Sequence, residues 1–105
     1  MLRTKDKKIL MTEGDFGLSL PITITGGEIS NEEEIKFSIK KINGEEIIQP
    51  KIYKNINNNT FNLAFDKTES DLLKKGTYLY YLDWYKSDEF LGNVINGEIF
   101  EVEGK

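Results

Sequence analysis

The dominant periodicity along this chain is two. Phe16, Leu18, Leu20, Ile22 and Ile24 alternate with Gly17, Ser19, Pro21, Thr23 and Thr25. Successive side chains of an extended strand point to opposite faces, so the alternation predicts a strand with one buried and one wetted side. Pro21 falls on the outward set and has no N–H to give to a ladder, which predicts a sheet edge or a bulge. The pattern returns in Ile35, Phe37 and Ile39 against Lys36, Ser38 and Lys40, and in Phe61, Leu63 and Phe65 against Asn62, Ala64 and Asp66. It is strongest over 77–86. There Tyr78, Tyr80, Leu82 and Trp84 share the core face, while Leu79, Tyr81, Asp83 and Tyr85 share the other. A last strand over 93–102 turns Phe100 and Val102 one way, with Gly97 marking a bulge or bend. A short strand is expected at 9–12.

Turn signals separate these runs. A loop is expected over 26–34, where two glycines precede Glu32, Glu33 and Glu34. Lys41-Ile42 breaks the phase of its strand. Asn43-Gly44 then predicts a type I′ hairpin turn, because both central positions of that turn need positive φ. The returning segment, 45–53, carries Pro50 and should be short, kinked or at an edge. Residues 55–59 and 87–92 read as a polar turn and a loop. Thr68, answered by Asp71, forms a weak capping box ahead of Leu72-Leu73, with Gly76 as the stop. About two helical turns fit there.

Inward apolar and outward polar positions on every strand require a second layer, since one sheet cannot hide so many apolar faces from water. The expected fold is all-β: an immunoglobulin-like antiparallel β-sandwich of about seven strands, with one short helix or 3₁₀ turn before the penultimate strand. A chain of 105 residues is expected to form a single domain, 1–105.

Composition narrows the chemistry. The chain has no cysteine and no histidine. Thiolate zinc sites, thiol nucleophiles, Ser–His–Asp triads and Cys–His pairs are therefore excluded. No GxxxxGK[ST] or GxGxxG pattern occurs, and no cofactor is expected. The net charge is −4, with lysine and glutamate interspersed, which argues against nucleic acid as a partner. The basic N-terminus around Arg3, Lys5, Lys7 and Lys8, interrupted by Asp6, reads as a solvated tail. No apolar run approaches the roughly 18 residues of a membrane helix. Ile9-Leu10-Met11 is too short for a signal peptide core of about 7–15 residues.

Three groups of side chains invite a functional reading. Glu32–Glu34 with Glu28 lacks the fixed oxygen spacing of a calcium loop and reads as a solvated acidic loop. Asp66, Glu69 and Asp71 invite the same suggestion of a metal and the same answer, with helix capping explaining Asp71. Tyr81 and Tyr85 share the face opposite the core, where they suit an interface, or else a carbohydrate platform. The final strand, with glutamates only at 98 and 101, is the expected docking edge, and Ile95 and Ile99 are its candidate contacts. Trp84 reads as core packing. Tyr78 stands where sandwich domains of this kind place a tyrosine that bonds back to the preceding corner.

Three motifs then stand together: Glu13-Gly14-Asp15 opening a long strand, Leu73-x-x-Gly76-x-Tyr78-x-Tyr80 leading an aromatic strand, and Gly97-x-x-Phe100-x-Val102 closing the chain. In this order they resemble the small immunoglobulin-like domain of phage and prophage tail proteins, similar to the N-terminal domain of the baseplate upper protein. The resemblance spans residues 13–102. It implies a non-enzymatic structural role in a virion assembled in the bacterial cytoplasm, packed against other tail or baseplate subunits, often as a trimer. A carbohydrate-binding or adhesion module of a bacterial surface system is the alternative.

Overall fold

The computed structural model of the chain describes residues 2–5, 7–25 and 27–105. Asp6, from the basic N-terminus, and Gly26, from the loop 26–34, lie outside the described residues. The elements run β1 (Leu2–Lys5), β2 (Lys8–Thr12), β3 (Ser19–Thr23), β4 (Glu33–Lys41), β5 (Lys51–Tyr53), β6 (Thr60–Ala64), α1 (Lys67–Leu72), β7 (Gly76–Lys86) and β8 (Glu89–Glu103). The fold is all-β with one short helix, as the periodicity of two requires.

Six strands form one sheet in the order β1-β2-β8-β7-β4-β5, and β3 and β6 form a second. The inward side chains of both meet in one core. Ile35, Phe37 and Ile39 of β4, Tyr78, Tyr80 and Leu82 of β7, and Phe100 and Val102 of β8 lie against Phe61 and Leu63 of β6. Phe65 bridges the layers, its ring 6.2 Å from that of Phe37 and 5.8 Å from that of Phe100. Burying a side chain of this size contributes about 1.5–3 kcal/mol.

One pairing departs from the antiparallel expectation. β2 runs parallel to β8, Ile9 beside Phe100 and Met11 beside Val102. Alternation reports which face a residue takes but not the direction of its neighbour, and parallel partners need a long connection. The same pairing corrects the reading of the N-terminus as a solvated tail. β1 and β2 form an antiparallel pair, Arg3 reaches Glu103 at 3.0 Å, and Lys8 lies 3.8 Å from Glu101. Burial of Ile9, Leu10 and Met11 holds it there.

Other elements differ in their ends. β3 begins only at Ser19, because Gly14 and Gly17 take φ of 89° and 76° and break the extended run. Phe16 and Leu18 are consequently exposed, whereas Ile24 is buried. β3 pairs with β6 alone, so Pro21 does lie on an edge strand. The β4–β5 turn has positive φ only at Gly44 and not at Asn43. Gly44 N–H donates to the Lys41 carbonyl, and Lys41 N–H to the Glu45 carbonyl, both at 2.8 Å. That is a three-residue connection with a glycine bulge. The two-residue turn falls instead at Ser87 and Asp88, with φ of 47° and 67°, so β8 starts at Glu89 rather than 93. α1 is capped two residues upstream of the expected threonine: Asp66 accepts from Glu69 N–H at 2.7 Å, and the Glu69 carboxylate accepts from Asp66 N–H at 3.0 Å.

Candidate functional site

The outer face of the six-stranded sheet holds the aromatic residues singled out in the sequence. β7 carries Tyr81 and Tyr85 away from the core, both half-buried. Ser38 of β4 and Asn96 of β8 flank Tyr81, and Glu34 and Phe90 flank Tyr85. The Lys40 ammonium stands 5.0 Å from the centre of the Tyr81 ring, and that of Lys36 5.9 Å from the centre of Tyr85. Phe90 meets Tyr85 edge-on at 5.5 Å. A cation above an aromatic face is drawn to the negative face of the ring quadrupole. The lysine ammonium groups thus stand over the tyrosine rings, both of which are half-buried.

The four residues expected to form the interface do not share one face. Ile99 lies opposite Leu79, beside Tyr81 on the outer side. Ile95 lies opposite Leu82 and packs against the core. Gly97 causes the separation. Tyr80 pairs with Glu98 and Tyr81 with Asn96, so Gly97 is an extra residue on β8, with φ of 84°. An inserted residue reverses the phase of a strand. A Cβ at Gly97 would stand 3.6 Å from Cε2 and Oη of Tyr81, so the tyrosine also packs over the bulge.

The expected docking edge changes as well. Residues 100–102 of β8 are paired on both sides, with β2 and β7. Only residues 89–99 have β7 alone beside them, and three register shifts interrupt that stretch. Such bulges twist an edge away from continuous pairing with another strand. Between this open stretch and β3 lies a cavity of about 530 Å³ over Ile22, Ile24, Tyr80, Leu82, Val94 and Ile95. Among the described residues, no carboxylate lines it.

The acidic loop is a network of paired groups. Ser30 N–H donates to Glu33 Oε1 at 2.7 Å and holds that carboxyl below its usual pKa. Lys54 lies 3.7 Å from Glu34, and Lys86 3.5 Å from Glu32. Among the described residues no three acidic side chains are grouped to hold a metal ion, and no helix is long and apolar enough to cross a membrane.

At one end of the molecule the three sequence motifs meet, a convergence that their spacing did not reveal. Tyr78 Oη donates to the Lys74 carbonyl at 2.7 Å, the corner bond expected of it. Glu13 Oε2 accepts from Lys75 N–H at 2.7 Å, and Glu13 N–H donates to the Glu103 carbonyl at 2.8 Å. Burial pushes the Tyr78 phenol above its ordinary pKa. Fold and site together define an all-β domain with a lysine-covered tyrosine face and a tied corner. No family model, no curated protein and no solved structure matches the chain.

Proposed function

We propose that the chain is a non-enzymatic structural module of a phage or prophage tail or baseplate, acting through protein–protein contacts, on an immunoglobulin-like sandwich. The observation that carries this reading is the corner at which Glu13, Lys75, Tyr78 and Glu103 are joined. The three motifs behind the resemblance to tail domains are neighbours in space, so they can act as one structural unit. The strand order supports the immunoglobulin-like assignment. β8, β7 and β4 face the β3–β6 pair, and the corner tyrosine lies near the start of the penultimate strand.

The carbohydrate reading has less support. A sugar ring stacks on an open aromatic face, whereas Lys40 stands over Tyr81 and Lys36 over Tyr85. The test is mass spectrometry of purified particles after prophage induction in the source strain. The chain is expected at fixed stoichiometry with tail proteins. Particles that form without it would sink the tail reading.

A further inference from the structure

We propose that this chain forms a strand-exchanged dimer with a second copy of itself, in which each copy gives its β1–β2 pair to the other and residues 14–17 are the hinge. The inference goes beyond the tail reading and does not rest on it. The seat and its occupant are both seen within one copy. β2 lies parallel to β8, Ile9 beside Phe100 and Met11 beside Val102, and both inward side chains are 1% exposed. Arg3 pairs with Glu103 and Lys8 with Glu101, the Tyr80 hydroxyl holds the Lys7 carbonyl, and Glu13 accepts from Lys75 N–H. Each of these contacts joins the first 13 residues to residues 75–103. They form equally well whether the two groups belong to one copy or to two, which is what makes exchange of an element a low-cost route to a dimer.

The hinge is what distinguishes the two states. β7 leaves the corner, so β8, antiparallel to it, and β2, parallel to β8, both arrive there. β6 reaches the corner through α1, so β3, antiparallel to β6, leaves it. The chain is held on either side of the reversal, by Glu13 N–H on the Glu103 carbonyl and by Gly17 N–H on the Phe65 carbonyl. It turns back between them with Gly14 at φ of 89° and Gly17 at 76°. The sequence does not ask for that bend: its period of two runs unbroken from Phe16 to Ile24, the pattern of one continuous strand. The bend also leaves Phe16 53% and Leu18 47% exposed. In the open form the hinge is extended and β2 runs on into β3. The two hinges then cross about a two-fold axis, where Phe16 and Leu18 of each copy cover those of the other, and the apolar area lost to water there favours the dimer.

The chain has no cysteine, so a single introduced disulfide reports which copy a β2 strand belongs to. Thr12 and Glu103 are register partners across β2 and β8. The full chain with Thr12→Cys and Glu103→Cys is refolded from urea at roughly 0.1 mM, where a weak dimer is populated, separated by size and oxidised. A dimer fraction whose disulfides join two chains on a denaturing gel is expected. Gly17→Val strains the reversed hinge and not the extended one, and should raise the association constant about tenfold or more. Removing Gly14 and Asp15 shortens the reversal, keeps the phase of Phe16 and should act in the same direction. Circular dichroism checks that each chain is folded, and the shortened chain reads the hinge if the valine chain fails that check. A natural hinge that leaves the chain monomeric, dimers whose disulfides stay within one copy, or association that no hinge change alters would overturn the proposal. The tail reading is untouched by any of these results, because it is judged by the content of particles.

Discussion

Tyr78 lies on the core side of β7 and is buried, yet its hydroxyl reaches back four residues to the Lys74 carbonyl. A phenol hydroxyl carried on a buried ring must find an acceptor or lose the hydrogen bond that water gave it. Tyr78→Phe keeps the ring and removes only the donor. The expected loss is about 1 kcal/mol of folding free energy, read from urea denaturation. Tyr85→Phe changes no hydrogen bond of the fold and should leave the midpoint unmoved. An unchanged Tyr78→Phe midpoint would show that the corner bond is not part of what holds the motifs together. This residue was legible in the sequence because its neighbours Gly76 and Tyr80 set its phase. Glu13 was not, because its partner Lys75 is 62 residues away and donates through the backbone.

At the scale of the element, β8 shows how one glycine decides a face. Gly97 takes φ of 84°, which an L side chain adopts only with strain. Gly97→Ala should therefore cost about 1–2 kcal/mol in chemical denaturation, and asparagine there should cost less. Equal stability would mean that the bulge can be relaxed elsewhere along β8. The glycine itself suggested a bulge, but its consequence for Ile95 and Ile99 depended on which residue of β7 lay opposite. The helix offers a parallel case. Thr68 and Asp71 have the spacing of a capping box, and so do Asp66 and Glu69. The second pair prevails because Glu69 is also held by Lys51 of β5 at 2.7 Å, an interaction between distant segments.

At the scale of the whole molecule, distant segments are tied by a buried tyrosine as well as by apolar packing. Tyr80 Oη donates to the Lys7 carbonyl, linking the core face of β7 to the segment between β1 and β2. Burial, with a contribution from Glu98, pushes the Tyr80 phenol up to about 12. Burial, with Glu69 nearby, pushes Tyr53 to about 12 as well. An unfolded tyrosine ionises near pH 10. Above about pH 10 the unfolded chain has lost protons that the folded chain retains, so stability falls with rising pH until about pH 12. Stability should hold from pH 7 to 9 and decline from pH 10 to 12 in guanidinium melts. Tyr80→Phe should decline less steeply. A flat profile across that window would mean these phenols titrate in the folded protein as they do in water.

The sequence by itself determined the all-β class, the inward and outward residue of most strands, and the exclusion of histidine- and thiol-based chemistry. These depend on local alternation and composition, which folding does not alter. The tertiary structure alone decided that β2 lies parallel to β8, that Ile95 faces the core while Ile99 faces outward, and that two lysines cover the tyrosine face. Each of those depends on which distant strand lies alongside and in what register. A period of two assigns sides to a strand, but it carries no information about the neighbour that completes the face.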